Sequence, residues 1–263
     1  RDTLIRHLSS QKAFVWIRRN LTPEQQYAVN SLGVPGLNFQ REERRVYPHG
    51  RLFAHVLGFT DIDNNGIAGA ERKFDNELRI NNGPLQLSLD TRIQYALEEE
   101  VESAMKTYDA VGATGMVMDI YTGEVLGMMS LPDFDPHRPG QAPADARFNR
   151  ATLGVYEMGS VFKLFNTAIA LETGTVNLDS MYDASQPIRV GRFAISDYRG
   201  ENRWLSVSEI IKYSSNIGSA RIALDFGTET QRKYLKKFGI LDTPQIELPE
   251  VGSPLVPNPW REV

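Results

Sequence analysis

From Val161 to Leu171 the chain reads V-F-K-L-F-N-T-A-I-A-L, and Lys163 is the only charge among these residues. Apolar positions nearly all round predict a buried helix. An ammonium on such a helix must be paired or give up its proton. Ser160 lies three residues earlier, one turn back on the same face. A second helix is predicted from Asp90, as N-cap, through Ile93, Leu97, Val101, Met105 and Tyr108, with Glu98, Glu99 and Glu100 turned to solvent. Two apolar runs, 112–120 and 124–131, flank Tyr121-Thr122-Gly123 and predict a hairpin, with methionines 116, 118, 128 and 129 as core candidates.

The N-terminal third is less regular. Residues 1–20 begin helical and continue into the apolar run Ala13 to Ile17, which fits a strand or a short buried segment. Thr22, Pro23 and Gln25 form a capping box that starts a helix ending near Gly33, with Pro35-Gly36 as a turn. Residues 37–60 read as strands and turns. Arg41 to Arg45 would be a solvated edge, Tyr47 to Gly50 a turn and His55 to Phe59 a short apolar strand. Asn81 to Pro84 is a break, and Leu85 to Leu89 alternates like a strand. These signals place a domain boundary near residue 85. Past the central helix, Gly174 is a stop, 175–205 mixes strand and loop, and Ser206 opens a helix. Further helices are expected over 217–226, ending at Gly227, and over 229–238, before Gly239 and a Pro-rich tail.

The charge of −4, with no basic run, argues against nucleic acid as the main partner. The absence of cysteine removes disulfides, thiolate metal sites and thiol catalysis. Asp61 to Gly66 imitates the start of a calcium loop, but Arg72 stands where the closing Glu belongs, so the stretch reads as a Gly-rich turn. No cofactor or metal is implied. No stretch approaches the ~20 apolar residues of a membrane span. Arg1 is not a natural start, so the chain reads as cut at its N-terminus.

The pattern S-x-x-K occurs at Ser9–Lys12, Ser103–Lys106 and Ser160–Lys163. The first two lie among polar or charged neighbours, where a lysine keeps its proton. A lysine snorkelling at the core edge is the plain alternative for the third. Ser214-Ser215-Asn216 supplies an S-x-N 54 residues beyond Ser160, between two predicted helices. Its plain alternative is that Ser214 ends one helix and Asn216 caps the next.

Together, Ser160-x-x-Lys163 and Ser214-Ser215-Asn216 resemble the penicillin-recognising serine enzymes. The flanks 149–152, 156–160 and 213–218 look like class B penicillin-binding proteins. So do Phe14 to Arg19, Leu32 to Gly36, Arg45 to Pro48 and His55 to Phe59, which resemble the division-specific branch. The resemblance implies an α+β fold: a mixed α/β pedestal over 1–85, then a transpeptidase domain over 86–263, with a helical cluster against an antiparallel sheet that is incomplete here. It also implies a peptidoglycan D,D-transpeptidase at the periplasmic face of the inner membrane. Its partners would be stem peptides, β-lactams bound covalently at Ser160, and division proteins including a polymerising glycosyltransferase. Ser160 would attack the penultimate D-alanine carbonyl, Lys163 would take the hydroxyl proton, Ser214 would relay it to the leaving D-alanine, and Asn216 would hold the donor peptide. A non-catalytic scaffold or penicillin sensor is the alternative. A β-lactamase is disfavoured by the pedestal-like region and by the lack of a recognisable deacylating base motif. A Ser-His-Asp esterase is disfavoured because all four histidines precede Ser160.

Two departures stand out. Met158 occupies the place of a usual proline, which should alter the approach to the helix. The third family motif, K-[ST]-G, is missing: Lys106-Thr107 is followed by Tyr108, and the Thr-Gly pairs at 114, 122 and 173 follow Ala, Tyr and Glu. The chain therefore reads as C-terminally truncated, with one of two oxyanion donors gone. A lost donor costs roughly 10²–10³ in rate. The 263-residue chain should accordingly label with a fluorescent penicillin slowly or not at all. Labelling at the rate of the full-length parent, lost in Ser160→Ala, would show this expectation to be wrong.

Overall fold

The computed structural model describes residues 2–9, 11–80 and 83–256. Helix α1 (Asp2–Leu8) and helix α2 (Pro23–Asn30) open the chain. The Thr22 capping box forms as expected: Gln25 donates its amide N–H to Thr22 Oγ1, and Thr22 donates its own to Gln25 Oε1. The apolar run between them is neither strand nor buried. Phe14, Trp16 and Ile17 are exposed, with Phe14 edge-on to Trp16 and Arg19 stacked over the Trp16 ring at 4.9 Å. Residues 37–46 form no ladder, and side chains tie this stretch to its neighbours. Glu42 pairs with Arg19, and Arg45 with Glu71.

The stretch expected to be a strand at His55 to Phe59 is mostly helical. A 3₁₀ turn (Gly50–Phe53) runs into α3 (Ala54–Leu57), and only β1 (Phe59–Thr60) is strand, paired with β2 (Gly66–Ala68). Leu52, Phe53, Ala54, His55 and Val56 are all buried, and a run buried on every side has no periodicity that separates helix from strand. Gly58 turns the chain at φ 73°, where a Cβ would sit 1.8 Å from the Ala68 carbonyl oxygen. In the Asp61 turn the carboxylate accepts from the backbone N–H groups of Asp63 and Asn65 and from the Asn65 side chain. Asp63 is taken by Arg19. Helices α4 (Gly69–Lys73) and α5 (Asp75–Ile80) follow. Of the predicted break, Asn81 and Asn82 lie outside the described residues.

Residues 85–89 run extended beside the hairpin without joining it. Ser88 Oγ donates to the Val125 carbonyl, and the Asp90 amide to that of Leu126. Asp90 then caps α6 (Thr91–Thr107), accepting from the amides of Arg92 and Ile93. Helix α6 lies on the hairpin β3 (Ala113–Met118) and β4 (Val125–Leu131). Two glycines permit this contact: a Cβ on Gly115 would meet Leu97 at 2.8 Å, and one on Gly127 would meet Ile93 at 3.3 Å. The expected pattern needs three corrections. Met128 and Met129 are core, but Met116 and Met118 are exposed, because among the described residues β3 pairs with β4 alone. Glu98 turns inward, and burial raises its pKa. Tyr108 ends the apolar stripe in solvent.

Beyond 3₁₀ turns within 139–147 and at Gly159–Phe162 comes α7 (Lys163–Glu172). Strands β5 (Met181–Asp183), β6 (Ile188–Val190), β7 (Phe193–Ile195) and β8 (Trp204–Ser206) pair antiparallel as β5–β8 and β6–β7. Ser206 and Glu209 close a capping box on α8 (Val207–Lys212). Last is α9 (Asn216–Lys237), two helical segments joined at Gly227, which holds φ 77°. That is the predicted break. The described residues thus form an α+β fold whose sheets are all two-stranded.

The main core joins α7, α8, α9 and β8 through Ile169, Leu205, Val207, Ile210, Ile217 and Ile222. At about 1.5–3 kcal/mol for each buried aliphatic side chain, this cluster is what fixes α7 against α9. Helix α7 is not buried all round, however. Thr167, Ile169 and Ala170 face the core, while Val161, Leu164 and Leu171 are exposed. Two smaller clusters join the first 85 residues to the rest, Ala54 with Phe134 and Ala146, and Val56 with Met128 and Leu248. Gln94 ties the same seam. Wholly buried, it donates to the carbonyls of Leu52 (2.7 Å) and Met128 (2.8 Å) and accepts from the Met128 amide (2.8 Å).

Gln94→Ala strands those backbone groups away from water. It should cost about 3 kcal/mol in urea unfolding. A loss below about 1 kcal/mol would mean that water replaces the amide.

Candidate active site

Ser160 sits in the 3₁₀ turn that leads into α7, after Gly159 at φ 57°. Met158 holds φ −72°, inside the range a proline ring imposes, so its substitution for proline leaves the chain's approach unaltered at that bond. Lys163 begins α7, one turn after Ser160, and is half-buried rather than fully enclosed.

Between α8 and α9 the chain turns sharply. Ser214 adopts φ 55°, a left-handed conformation that costs a non-glycine residue on the order of 1 kcal/mol. The turn swings both its carbonyl and its hydroxyl toward α7. Lys163 Nζ lies 3.1 Å from Ser160 Oγ, 2.9 Å from Ser214 Oγ and 2.6 Å from the Ser214 carbonyl oxygen. Ser214 Oγ donates to Ser160 Oγ at 2.9 Å. The structure thus brings together two hydroxyls and an amine drawn from positions 51 and 54 residues apart. Burial lowers the pKa of Lys163, and the opposing field of Asp197 only partly offsets this. By contrast, Lys106 of the second S-x-x-K is exposed and paired with Glu102 at 3.0 Å. Ser10 of the first S-x-x-K lies outside the described residues.

Asn216 stands beside this triangle but does not touch it. Its Nδ2 donates to the Ser196 carbonyl at 2.8 Å, which leaves Oδ1 as its free end. The N-cap of α9 is Ser215 rather than Asn216. Buried Ser215 Oγ accepts from the Gly218 amide at 2.9 Å and donates to Asp197 Oδ2 at 2.8 Å. Asp197 Oδ1 also accepts from the Ile217 amide at 3.0 Å. On α7, Asn166 donates to Ser219 Oγ (3.4 Å) and accepts from Gln231 (3.0 Å), pinning the Lys163 face against α9. Neither Asp197 nor Asn166 stood out in the sequence. Asn166 carried a signal, a polar residue one turn beyond Lys163 on an apolar helix. Asp197 carried none, because it is one carboxylate in an irregular loop. Among the described residues no group of histidine, aspartate and glutamate side chains is arranged to hold a metal.

An exposed hydroxyl flanked by an amine of lowered proton affinity and a second hydroxyl is equipped for covalent acyl transfer. Fold and site together therefore match the serine–lysine class of penicillin-recognising folds. The chain belongs to the penicillin-binding protein transpeptidase family, on the division-specific class B branch. The penicillin-binding protein transpeptidase domain matches residues 113–263, and the penicillin-binding protein dimerisation domain matches residues 3–110. A Caulobacter vibrioides protein named probable peptidoglycan D,D-transpeptidase FtsI is 42% identical over 92% of this chain and 42% of its own length. The Escherichia coli peptidoglycan D,D-transpeptidase FtsI is 28% identical over 94% of this chain and 46% of its own. Penicillin-binding protein 3 of Mycobacterium tuberculosis, solved in complex with aztreonam, superposes with a TM-score of 0.75 at 28% identity. That superposition covers 82% of this chain and 51% of the solved one. The chain thus spans under half the length of these two curated relatives.

Ser215→Ala removes both the helix cap and a ligand of Asp197. It should lower stability by about 1–2 kcal/mol, read by denaturant unfolding.

Proposed function

We propose that this protein is a peptidoglycan D,D-transpeptidase that cross-links stem peptides through an acyl-enzyme at Ser160. The observation that carries the reading is the Ser160–Lys163–Ser214 triangle. A neutral Lys163 amine has two N–H groups and one lone pair. With the N–H groups on the carbonyl and hydroxyl of Ser214, the lone pair faces Ser160 Oγ at 3.1 Å. Lys163 then takes the Ser160 proton as the hydroxyl attacks the carbonyl of the penultimate D-alanine. Ser214 Oγ, 2.9 Å from Ser160 Oγ, passes a proton to the departing D-alanine. The acyl group moves to an amine of a neighbouring peptide, which forms the cross-link and restores Ser160. The Ser160 backbone N–H serves as one oxyanion donor. Asn216, with Oδ1 free, accepts from a backbone N–H of the donor peptide.

Residues 1–85 act as a pedestal and 86–263 carry the chemistry. The protein works at the periplasmic face of the inner membrane during septal synthesis, alongside a polymerising glycosyltransferase, and β-lactams acylate Ser160 as donor mimics. Supporting this reading are the family membership and the solved complexes of the Mycobacterium tuberculosis neighbour with aztreonam and ampicillin. Among the described residues no helix is long and apolar enough to cross a membrane.

The test is acylation of the full-length protein by a fluorescent penicillin. Ser160→Ala should abolish labelling, and Lys163→Met should slow it by about 10²–10⁴, the usual contribution of a general base. A wild-type protein that never labels would favour the scaffold reading, and one that labels and then promptly releases hydrolysed drug would favour a β-lactamase.

A further inference from the structure

The loop between β7 and β8 (residues 196–203) is largely exposed, yet its first two residues grip the second motif. The Ser196 carbonyl accepts from Asn216 at 2.8 Å. The half-buried Asp197 carboxylate accepts from Ser215 Oγ at 2.8 Å and from the Ile217 amide at 3.0 Å. Three consecutive residues, Ser215, Asn216 and Ile217, are therefore held by two residues of another element. Ser214 immediately precedes this clamped segment and holds a strained left-handed φ of 55°. Strain persists only where the surroundings over-determine it. Here the surroundings are the Ser215 cap on one side and the contacts of Ser214 with Lys163 on the other.

Starting from the catalytic reading above, we propose that Asp197 is a positioning residue of this site. By clamping Ser215 and Ile217 it fixes the Ser214 turn on Lys163, and it brings a carboxylate to the same neighbourhood. Two separable effects follow, one geometric and one electrostatic. The geometric effect places the Ser214 hydroxyl and carbonyl at 2.9 and 2.6 Å from Lys163 Nζ. The electrostatic effect has a defined sign. Asp197 raises the proton affinity of Lys163, opposing the stronger lowering by burial. The groups that bond the Lys163 amine are uncharged, Ser160 from the 3₁₀ turn and Ser214 from the α8–α9 turn, and the nearby α7–α9 contact, Asn166 with Ser219, is uncharged too. Among the described residues, Asp197 is the one whose charge acts on Lys163. Removing it should make Lys163 lose its proton at lower pH.

The experiment compares wild type, Asp197→Asn, Asp197→Glu and Asp197→Ala in the full-length protein. Two readouts are followed across pH. One is the acylation rate with a fluorescent penicillin. The other is the acetylation of Lys163 by limiting acetic anhydride, quantified by peptide mass spectrometry against the exposed Lys106 as internal standard. In Asp197→Asn the titration of Lys163 and the acid limb of acylation should both move to lower pH. Asp197→Ala should show the same shift and, in addition, lose about 10–100-fold in acylation at its optimum, the scale of a small misplacement of a catalytic group. Asp197→Glu keeps the charge and should restore the wild-type limb. A purely structural role would instead reduce rate in proportion to lost stability and leave the Lys163 titration in Asp197→Asn where it is in wild type. That result overturns the proposal. If the wild-type protein does not acylate at all, the transpeptidase reading fails, but the Lys163 titration still decides the role of Asp197.

Discussion

One amine holds the two halves of the site together. Lys163 Nζ is the point at which α7 and the α8–α9 turn meet through polar atoms, and its bond to the Ser214 carbonyl, at 2.6 Å, ties the turn's backbone directly to the helix. Everything else in the neighbourhood makes that meeting possible. The aliphatic core beneath α7, α8 and α9 sets how closely the elements approach. The cap at Ser215 fixes where α9 begins. The left-handed residue at Ser214 turns a carbonyl that would otherwise serve the backbone toward the lysine. A half-buried ammonium needs this many partners, and the same burial that demands them makes its neutral form accessible.

Much of this could be read from residue types and spacing where the information is local. The capping box at Thr22, the helix start at Ser206, the cap at Asp90, the hairpin turn before Glu124 and the break at Gly227 each depend on a few adjacent residues, and each forms as expected. The difference between Lys163 and Lys106 is also local: the first begins an apolar helix and bonds Ser160 and Ser214, and the second, on a charged helix face, pairs with Glu102. What was misread depends on distant context. His55 to Phe59 is apolar throughout, and only its packing against Phe134 and Ala146 decides that it starts helical. Met116 and Met118 look like core until β3 is found, among the described residues, to pair with β4 alone. Asn216 looks like a helix cap, but Ser215 is the residue whose hydroxyl reaches the Gly218 amide. Asp197 is the clearest case, since its partners lie 18 and 20 residues away and no spacing rule connects them.

Local strain and local satisfaction alternate along the functional part of the chain. Gly159 and Ser214 both adopt positive φ, the first as the opening residue of the 3₁₀ turn and the second just before the cap of α9. The first needs a glycine; the second is achieved with a serine because its side chain and carbonyl both find partners. A glycine at 214 would relieve the backbone but would remove the hydroxyl that donates to Ser160. The conformational cost at this residue is thus bound up with its polar contacts.

The buried Gln94 has a mechanical consequence. One amide side chain on α6 bonds the backbone of the segment before α3 and the backbone of β4 at once. Val56 and Ala54 pack into the second half of the chain beside it, so the two regions share core here. The segment around Leu52 to Val56 therefore works as a strut and not a leash. A displacement of the segment before α3 is thus resisted directly by α6 and β4, through one shared side chain.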